Sequence, residues 1–599
     1  MSPGFEVVFQ PHGRKAWFDE ELTVLQAARA LGVEINSVCG GAGSCGKCIV
    51  KIVRGVESLD DPTPEEKDLL GDRLGGGYRL ACRSKIMGDA VILVPRESWR
   101  GAQRLQSEGL DTPVKLDPAI RKLVTGEATQ VLLGDRVLDV VPVRDAPIHG
   151  FAVDVGTTKL AGYLMDLATG NVLSVVTAMN PQIPYGEDVM TRLTYALGGG
   201  DQRGTLHRTL VEGVRQMLAD ACGKADADPR DVYELVFVGN TAMQHFLLDL
   251  GPVPLTRSPF TPENLRQRDV DSAKFNLGNP KGRMHFLPLI AGFVGADCVA
   301  SILATGVHRS DEPCFLIDIG TNTEIVVGDR DRMVACSCAS GPAFEGAHIR
   351  HGMRAATGAI EGVWIDPDTL EPSLTTIDDT DPVGVCGSGL IDALSEMLKA
   401  GIVDTSGKIR TGIENPRVRR SGGVPEYVLA WGRDSGVEGD IVVTQLDVRE
   451  LQKGKAAMFS GAQMALSRLG MQPSEIADAY MAGAFGTYIN RDSAVNVGMI
   501  PEFDVLDIQQ VGNAAGTGAR MALLSREARR EARTIGSMVE YIELATIKEY
   551  NQAFVDALLL PHRDLGLFPE TVKRLGSAHL RYGEMHLKEK RGRAHFSQK

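Results

Sequence analysis

The sequence predicts a multidomain protein that joins a small α+β module to a larger α/β region. Three observations carry that prediction. Cysteines cluster in a glycine-rich loop near the N-terminus, between short segments that read as strands and helices. From Phe151 the texture changes to glycine-punctuated apolar strands alternating with helices. Within that region Val153-Asp154-Val155-Gly156-Thr157-Thr158 and Ile317-Asp318-Ile319-Gly320-Thr321-Asn322 are one element written twice, a repeat at domain-sized spacing. At 599 residues the chain is too long for a single core.

The first module spans 1–95. Residues 5–10 and 14–18 alternate like a hairpin, and Asp19 to Leu31 reads as a helix with Leu22, Leu25, Ala28 and Leu31 on one face. Cys39, Cys45 and Cys48 follow in Cys-Gly-Gly-Ala-Gly-Ser-Cys-Gly-Lys-Cys, with Cys82 after a gap, giving C-x5-C-x2-C-x33-C. A strand at 49–53 comes next. The helix at 61–70 opens with Asp-Pro-Thr-Pro-Glu-Glu, which puts acids in its first turn. Segments 78–82 and 90–94 close the module. This order is that of a β-grasp ferredoxin. Four thiolates suit the two irons of a [2Fe-2S] cluster, and the glycines let backbone N–H groups turn toward the sulfides. Zinc knuckles favour two C-x2-C pairs, whereas this loop holds one.

Residues 96–148 read as a linker and small middle region, with a helix around Asp117–Thr125 and a strand-containing piece ending at Val141-Pro142-Val143. The remainder, 149–599, is expected to form two lobes. Each copy of the repeat is a buried strand ending in an Asp, a Gly-Thr turn and a second strand. Such a hairpin offers backbone N–H groups and hydroxyls to phosphate oxygens, and the carboxylate before it can hold a hydrated Mg²⁺. Two of them facing each other would clamp a nucleotide.

The repeat, followed by Ala482-Gly483-Ala484-Phe485-Gly486, resembles the acetate and sugar kinase, heat-shock chaperone and actin superfamily. The resemblance implies a duplicated actin-like ATPase domain. In it Gly156, Thr157, Thr158 and Lys159 belong to a first phosphate loop, Gly320, Thr321 and Asn322 to a second, and Gly483, Ala484, Phe485 and Gly486 to an adenosine motif. Asp154 and Asp318 would position Mg²⁺. Asp297 and Glu324 are candidates for positioning the attacking water, and Lys159 either touches phosphate or is an exposed strand residue. Segments 291–305 and 512–523 resemble the helices that hinge the lobes.

With a [2Fe-2S] module fused in front, the chain resembles the reductive activators of corrinoid proteins, which use ATP to return cob(II)amide to cob(I)amide. The likeness extends to Asn180-Pro-Gln182, Tyr185-Gly-Glu-Asp188, Ala339-Ser-Gly-Pro-Ala-Phe-Glu-Gly346 and Cys386-Gly-Ser-Gly389. No cysteine follows Cys386, which places the chain with the ferredoxin-bearing branch. The resemblance implies a corrinoid protein of a methyltransferase system as partner and a low-potential electron donor upstream, and a homodimer is compatible with it. Plant-type [2Fe-2S] centres lie near −400 mV, above the cobalt couple, and each ~59 mV uphill costs ~1.4 kcal/mol for one electron. ATP would therefore have to favour one conformation of the complex over another. A small-molecule kinase with a regulatory ferredoxin, or an activator of another low-potential metalloenzyme, are the competing expectations.

Composition narrows the rest. A net charge of −13 argues against nucleic-acid binding. No run of 18 apolar residues suggests a membrane span and no secretory leader opens the chain, so a cytoplasmic location is expected.

Overall fold

The computed structural model describes residues 4–10, 14–31, 33, 35, 37, 41–95, 98, 110, 114–483, 488–503 and 508–576. Cys39 and the triad Ala484, Phe485 and Gly486 lie outside the described residues.

The N-terminal module is a five-stranded sheet of β1 (Phe5–Gln10), β2 (Arg14–Phe18), β3 (Ile49–Arg54), β4 (Tyr78–Leu80) and β5 (Ala90–Leu93), in the order β2-β1-β5-β3-β4, with helices α1 (Val24–Ala30) and α2 (Pro64–Leu70). Within this sheet only the β1–β5 pair is parallel. Phe9, Val50, Leu80 and Ile92 are fully buried in its core. Helix α1 is shorter than the 19–31 expectation. Thr23 caps it by accepting from the Gln26 N–H while the Gln26 side chain accepts from the Thr23 N–H, and that capping box sets the start at Val24.

The middle region is an antiparallel sheet of β6 (Ile120–Thr125), β7 (Ala128–Leu133) and β8 (Arg136–Val141), with β7 central. The expected helix around Asp117–Thr125 is therefore a strand. Gly126 at φ 63° makes the tight turn into β7, and Ile120 is the one β6 residue fully buried. Two side-chain contacts pin this region to the C-terminal part of the chain: the Tyr233 hydroxyl donates to Asp139 at 3.0 Å, and Arg526 pairs with Asp117 at 2.7 Å.

The lobes repeat one architecture. In the first, β9 (His149–Val155), β10 (Lys159–Asp166), β11 (Val172–Met179), β12 (Val232–Gly239), β13 (Arg268–Asp271) and β14 (Arg283–Phe286) stand in the order β11-β10-β9-β12-β14-β13. In the second, β15 (Cys314–Ile319), β16 (Thr323–Gly328), β17 (Met333–Cys338), β18 (Asp478–Ala482), β19 (Ile508–Gly512) and β20 (Val539–Tyr541) stand in the order β19-β18-β15-β16-β17-β20. Each begins as an antiparallel meander, β9-β10-β11 or β15-β16-β17, whose first strand then takes a parallel neighbour, β12 or β18. The strands are apolar on both faces because helices cover both.

Between the sheets lie α3 (Ala296–Thr305) and α4 (Ala514–Leu524), which share one core with residues of both lobes, Ala152 and Val236 from the first and Leu316 and Val326 from the second. They approach closely because the contact is made of small residues. A Cβ on Gly518 would sit 2.2 Å from the Ala300 carbonyl oxygen. No helix among the described residues is long and apolar enough to cross a membrane.

Candidate functional site

The two sequence repeats become two β-hairpins, β9–β10 and β15–β16, whose turns meet across the interlobe cleft. The Thr158 and Thr321 hydroxyls are 3.2 Å apart. A cavity of about 220 Å³ opens here, bordered by Gly156, Thr157, Thr158 and Lys159 on one side and by Gly320, Thr321 and Asn322 on the other. Lys159 is half-buried and lines this cavity rather than standing exposed on the strand. Burial lowers its pKa and Glu345 pulls it back up.

The first turn is held from behind. Arg192, fully buried, donates to the Thr157 carbonyl at 2.5 Å and to the Gly186 carbonyl at 2.8 Å. Burial brings its pKa down to about 10. Asn180 donates to the Gly156 carbonyl and Asn240 to the Thr157 hydroxyl, both at 2.8 Å. The second turn is tied by Thr321, whose hydroxyl donates to Glu345 at 2.6 Å. Thr323 and Ser340 hydroxyls meet at 2.9 Å behind it.

Besides Glu345, four carboxylates border the same cavity: Asp154, Asp297, Asp318 and Glu324. Asn513 donates to Asp154 at 3.0 Å, Ser301 to Asp318 at 2.9 Å, and Ser337 to Glu324 at 3.0 Å. Burial and then the Asp318 charge push Asp154 up to about 7. Burial, then Asp154 and Asp318, push Asp297 up to about 7. Burial also raises Asp318, and Glu324 is raised further by Asp297 and Asp318. Buried like charges of this kind are relieved by protons or by a cation. Among the described residues no three such groups close into a chelate by themselves. That donor set suits a cation such as Mg²⁺, which keeps waters and shares phosphate oxygens. Gly483, which opens the Gly-Ala-Phe-Gly stretch, also lines the cavity. Its φ of 93° and the Ile319 carbonyl 2.4 Å from a would-be Cβ exclude any larger residue.

In the N-terminal module Cys45, Cys48 and Cys82 are all buried. The Cys48 and Cys82 sulfurs lie 3.3 Å apart, near the roughly 3.8 Å expected of two thiolates bound at about 2.3 Å to one tetrahedral ion. Gly41, Gly43 and Gly46 have positive φ, and a Cβ on Gly43 would strike the Arg83 guanidinium, which reaches over to donate to the Ala42 carbonyl at 2.6 Å. The glycines leave the backbone free to line a bound group, and Cys45, Cys48 and Cys82 fit a [2Fe-2S] cluster.

Cys45 packs against Ala347 of the second lobe. Beside it Lys47 donates to the Ile349 and Arg350 carbonyls, and the Tyr78 hydroxyl donates to Glu438 at 3.0 Å. Ala347 lies two residues past Glu345, the partner of Thr321. One short segment thus touches both the Thr321 hairpin and the Cys45 loop. Glu345, Arg192, Asn240 and Asn513 are site residues to which sequence reasoning gives no role, although Asn180, Glu345 and Asn513 fall within segments singled out there.

The fold and site define a nucleotide-binding protein of the acetate and sugar kinase, heat-shock chaperone and actin class, carrying a ferredoxin module docked beside its cleft. Comparison with known proteins narrows this. Family models match residues 8–87 as a 2Fe-2S iron-sulfur cluster binding domain, 149–310 as the RACo middle region and 312–572 as the C-terminal ASKHA domain of RACo. The corrinoid activation enzyme RamQ of Eubacterium limosum is 32% identical over 578 residues, covering 90% of this chain and 96% of that protein. A [Co(II) methylated amine-specific corrinoid protein] reductase of Methanosarcina barkeri is 26% identical over 440 residues, covering 68% of this chain and 76% of that protein. Among solved structures, a reductive activator for corrinoid, iron-sulfur protein superposes with a TM-score of 0.71 at 32% identity, covering 94% of this chain and all of that one. The chain belongs to the RACo family of reductive activators of corrinoid proteins. It has a [2Fe-2S] ferredoxin domain and an ATP-binding actin-like domain.

Proposed function

We propose that this chain couples ATP hydrolysis to the one-electron reduction of a corrinoid protein's cobalt, from cob(II)amide to cob(I)amide. The observation that carries the reading is the shared segment: Glu345 accepts from Thr321 of the phosphate hairpin while Ala347 packs on Cys45 of the cluster loop. The names of the relatives support the same client. In the balanced reaction one electron passes from a low-potential donor, through the protein, to cobalt, and ATP and water become ADP and phosphate.

Cys39, Cys45, Cys48 and Cys82 hold the [2Fe-2S] cluster, which supplies a single low-potential electron. Thr157, Thr158, Thr321 and Asn322, with the backbone at Gly156 and Gly320, bind the phosphates. Lys159 adds a positive charge there, and the segment 483–486 receives the adenosine. Asp154 and Asp318 position Mg²⁺, and their raised pKa values fit carboxylates that await a cation. Asp297 or Glu324 orients the attacking water. Because both hairpins must close on the phosphates, binding energy is available to change how the lobes, and the module docked on the second of them, sit against a partner.

The test mixes the cluster-loaded protein, a low-potential reductant, ATP and corrinoid proteins, and follows cob(I)amide absorption. ATP-dependent cob(I)amide is the expected result. Equal reduction without ATP, or phosphate transferred to a metabolite instead of water, refutes the reading.

A further inference from the structure

Arg354 borders two cavities at once. One is the nucleotide cavity; the other, about 240 Å³, lies at the junction of the ferredoxin module, through Arg29 and Ser37, with Asn180, Pro181 and Pro184 of the first lobe. The side chain is half-buried, yet its Nε is fully shielded and has no hydrogen-bond partner among the described residues. Its Nη1 donates weakly to the Met179 sulfur at 3.6 Å. A shielded cation with an unused donor is costly unless an anion completes it, and a planar guanidinium is shaped for two phosphate oxygens. Burial lowers its pKa, opposed by the charges of Glu345, Glu187 and the Cys45 sulfur. Lys159 feels Arg354 as well. The guanidinium therefore stands within electrostatic reach of both the phosphate hairpin and a cluster ligand.

We propose that Arg354 is the residue through which the nucleotide acts on the cluster: its guanidinium pairs with the terminal phosphate, and that pairing withdraws positive charge from beside Cys45. This rests on the nucleotide and cluster assignments proposed above. A cation near an iron–sulfur centre stabilises the reduced, more negative form. Neutralising it makes the cluster a stronger reductant with ATP bound than with ADP, whose shorter phosphate chain leaves Arg354 unpaired. Linkage is reciprocal, so the reduced cluster must weaken ATP binding by the same factor.

The experiment uses the full-length, cluster-loaded protein and needs no corrinoid partner. Redox titration followed by electron paramagnetic resonance is run without nucleotide, with ADP, and with a non-hydrolysable ATP analogue. Calorimetry gives the analogue's Kd for oxidised and dithionite-reduced protein. In the wild type the analogue moves the midpoint potential to more negative values, ADP does not, and the oxidised form binds the analogue more tightly by roughly 5- to 150-fold, the usual span of a coupling between sites. Arg354→Gln abolishes both effects and Arg354→Lys, which keeps the charge without the fork, retains part of them. An undiminished shift in Arg354→Gln, or a wild type whose potential ignores the analogue, overturns the proposal. Should Arg354→Gln fail to fold, Arg354→Lys and the ADP comparison decide. The cobalt assay is independent of these readings: cob(I)amide formation with no potential shift defeats only this proposal, and a shift without cob(I)amide defeats only the function proposed above.

Discussion

The hydroxyls of Thr158 and Thr321, 163 residues apart in sequence, lie 3.2 Å from each other across the interlobe cleft. Each turn is braced from behind, the first by Arg192 and Asn240, the second by Glu345. A hydrogen bond to a charged group is worth about 1.5–3 kcal/mol, so Thr158→Ala and Thr321→Ala should each weaken ATP binding by roughly 10- to 150-fold at 25 °C. Calorimetric titration checks this, and an unchanged affinity for both variants removes the hydroxyls from phosphate binding.

Asp318→Asn should strip one charge from the buried carboxylate group and leave Ser301 its partner. The expected outcome is a rise in the Mg²⁺ concentration needed for half-maximal ATP turnover, with kcat reduced by about 10²-fold or more, as for loss of one preorganised electrostatic group. Removing Mg²⁺ with a chelator should abolish turnover in the wild type. Turnover that survives chelation excludes the assigned role of the carboxylates.

Glu66 is the keystone of the ferredoxin module. Fully buried, it accepts from Arg79 at 2.8 Å, from the Leu80 N–H at 2.9 Å and from Ser84 at 2.9 Å, which lashes α2 to the strand leading to Cys82. Burial alone would raise its pKa, but the Arg79, Thr63 and Leu80 donors hold it below its ordinary 4.5. A depressed carboxylate contributes stability that is present above the unfolded value and lost as pH falls through the folded one. The cluster-loaded protein should thus release iron increasingly below about pH 4.5, the ordinary glutamate value. Glu66→Gln should flatten that dependence and cost the module up to about 3–5 kcal/mol, because buried Arg79 loses its Glu66 counter-charge and is left with Asp60 at 3.2 Å. Iron release and cluster absorption measured against pH report both.

His351 tests the docking of the module. Burial, then Arg350, Lys47 and Arg73, push its pKa down to about 3. Lys47 and Arg73 belong to the ferredoxin module, so part of that push exists only when the module is docked. A histidine whose pKa is lower docked than free favours docking above the free value and opposes it as pH falls below that. Acidification from pH 7 toward 5 should therefore expand the molecule in small-angle X-ray scattering, and His351→Gln should blunt the response. An identical expansion in the variant assigns it to another group.

Gly518→Val places side-chain atoms where even a Cβ would stand 2.2 Å from the Ala300 carbonyl. Overpacking of this kind costs typically about 1–3 kcal/mol, and here it forces α3 and α4 apart between the lobes. Thermal unfolding should show the loss, and ATP affinity should fall with it because the phosphate hairpins no longer meet.

The hairpins are legible in the sequence because strand, Asp, Gly and Thr recur together, and each of those residues has a reason to be where it is. The capping box at Thr23 and Gln26 and the turn at Gly126 are equally local signals, and they correct the start of the helix expected over 19–31 and the helix expected around 117–125. Glu345 and Arg354 are different. They sit in a short 3₁₀ turn and an irregular loop, where no periodicity marks an inward face. Their importance comes from Thr321 and Cys45, residues that only the tertiary fold brings near.

Cys45 pressed against Ala347 has a further consequence. A low-potential centre open to water on all sides would leak its electrons to any dissolved oxidant, dioxygen included. With Cys45 as a cluster ligand, the role proposed above, Ala347 covers that ligand and narrows the access, as exclusion of solvent suppresses side reactions elsewhere. The contact therefore also acts as insulation, and the thrift of the whole machine, electrons delivered for each ATP consumed, depends on how well that cover stays shut between visits of the client.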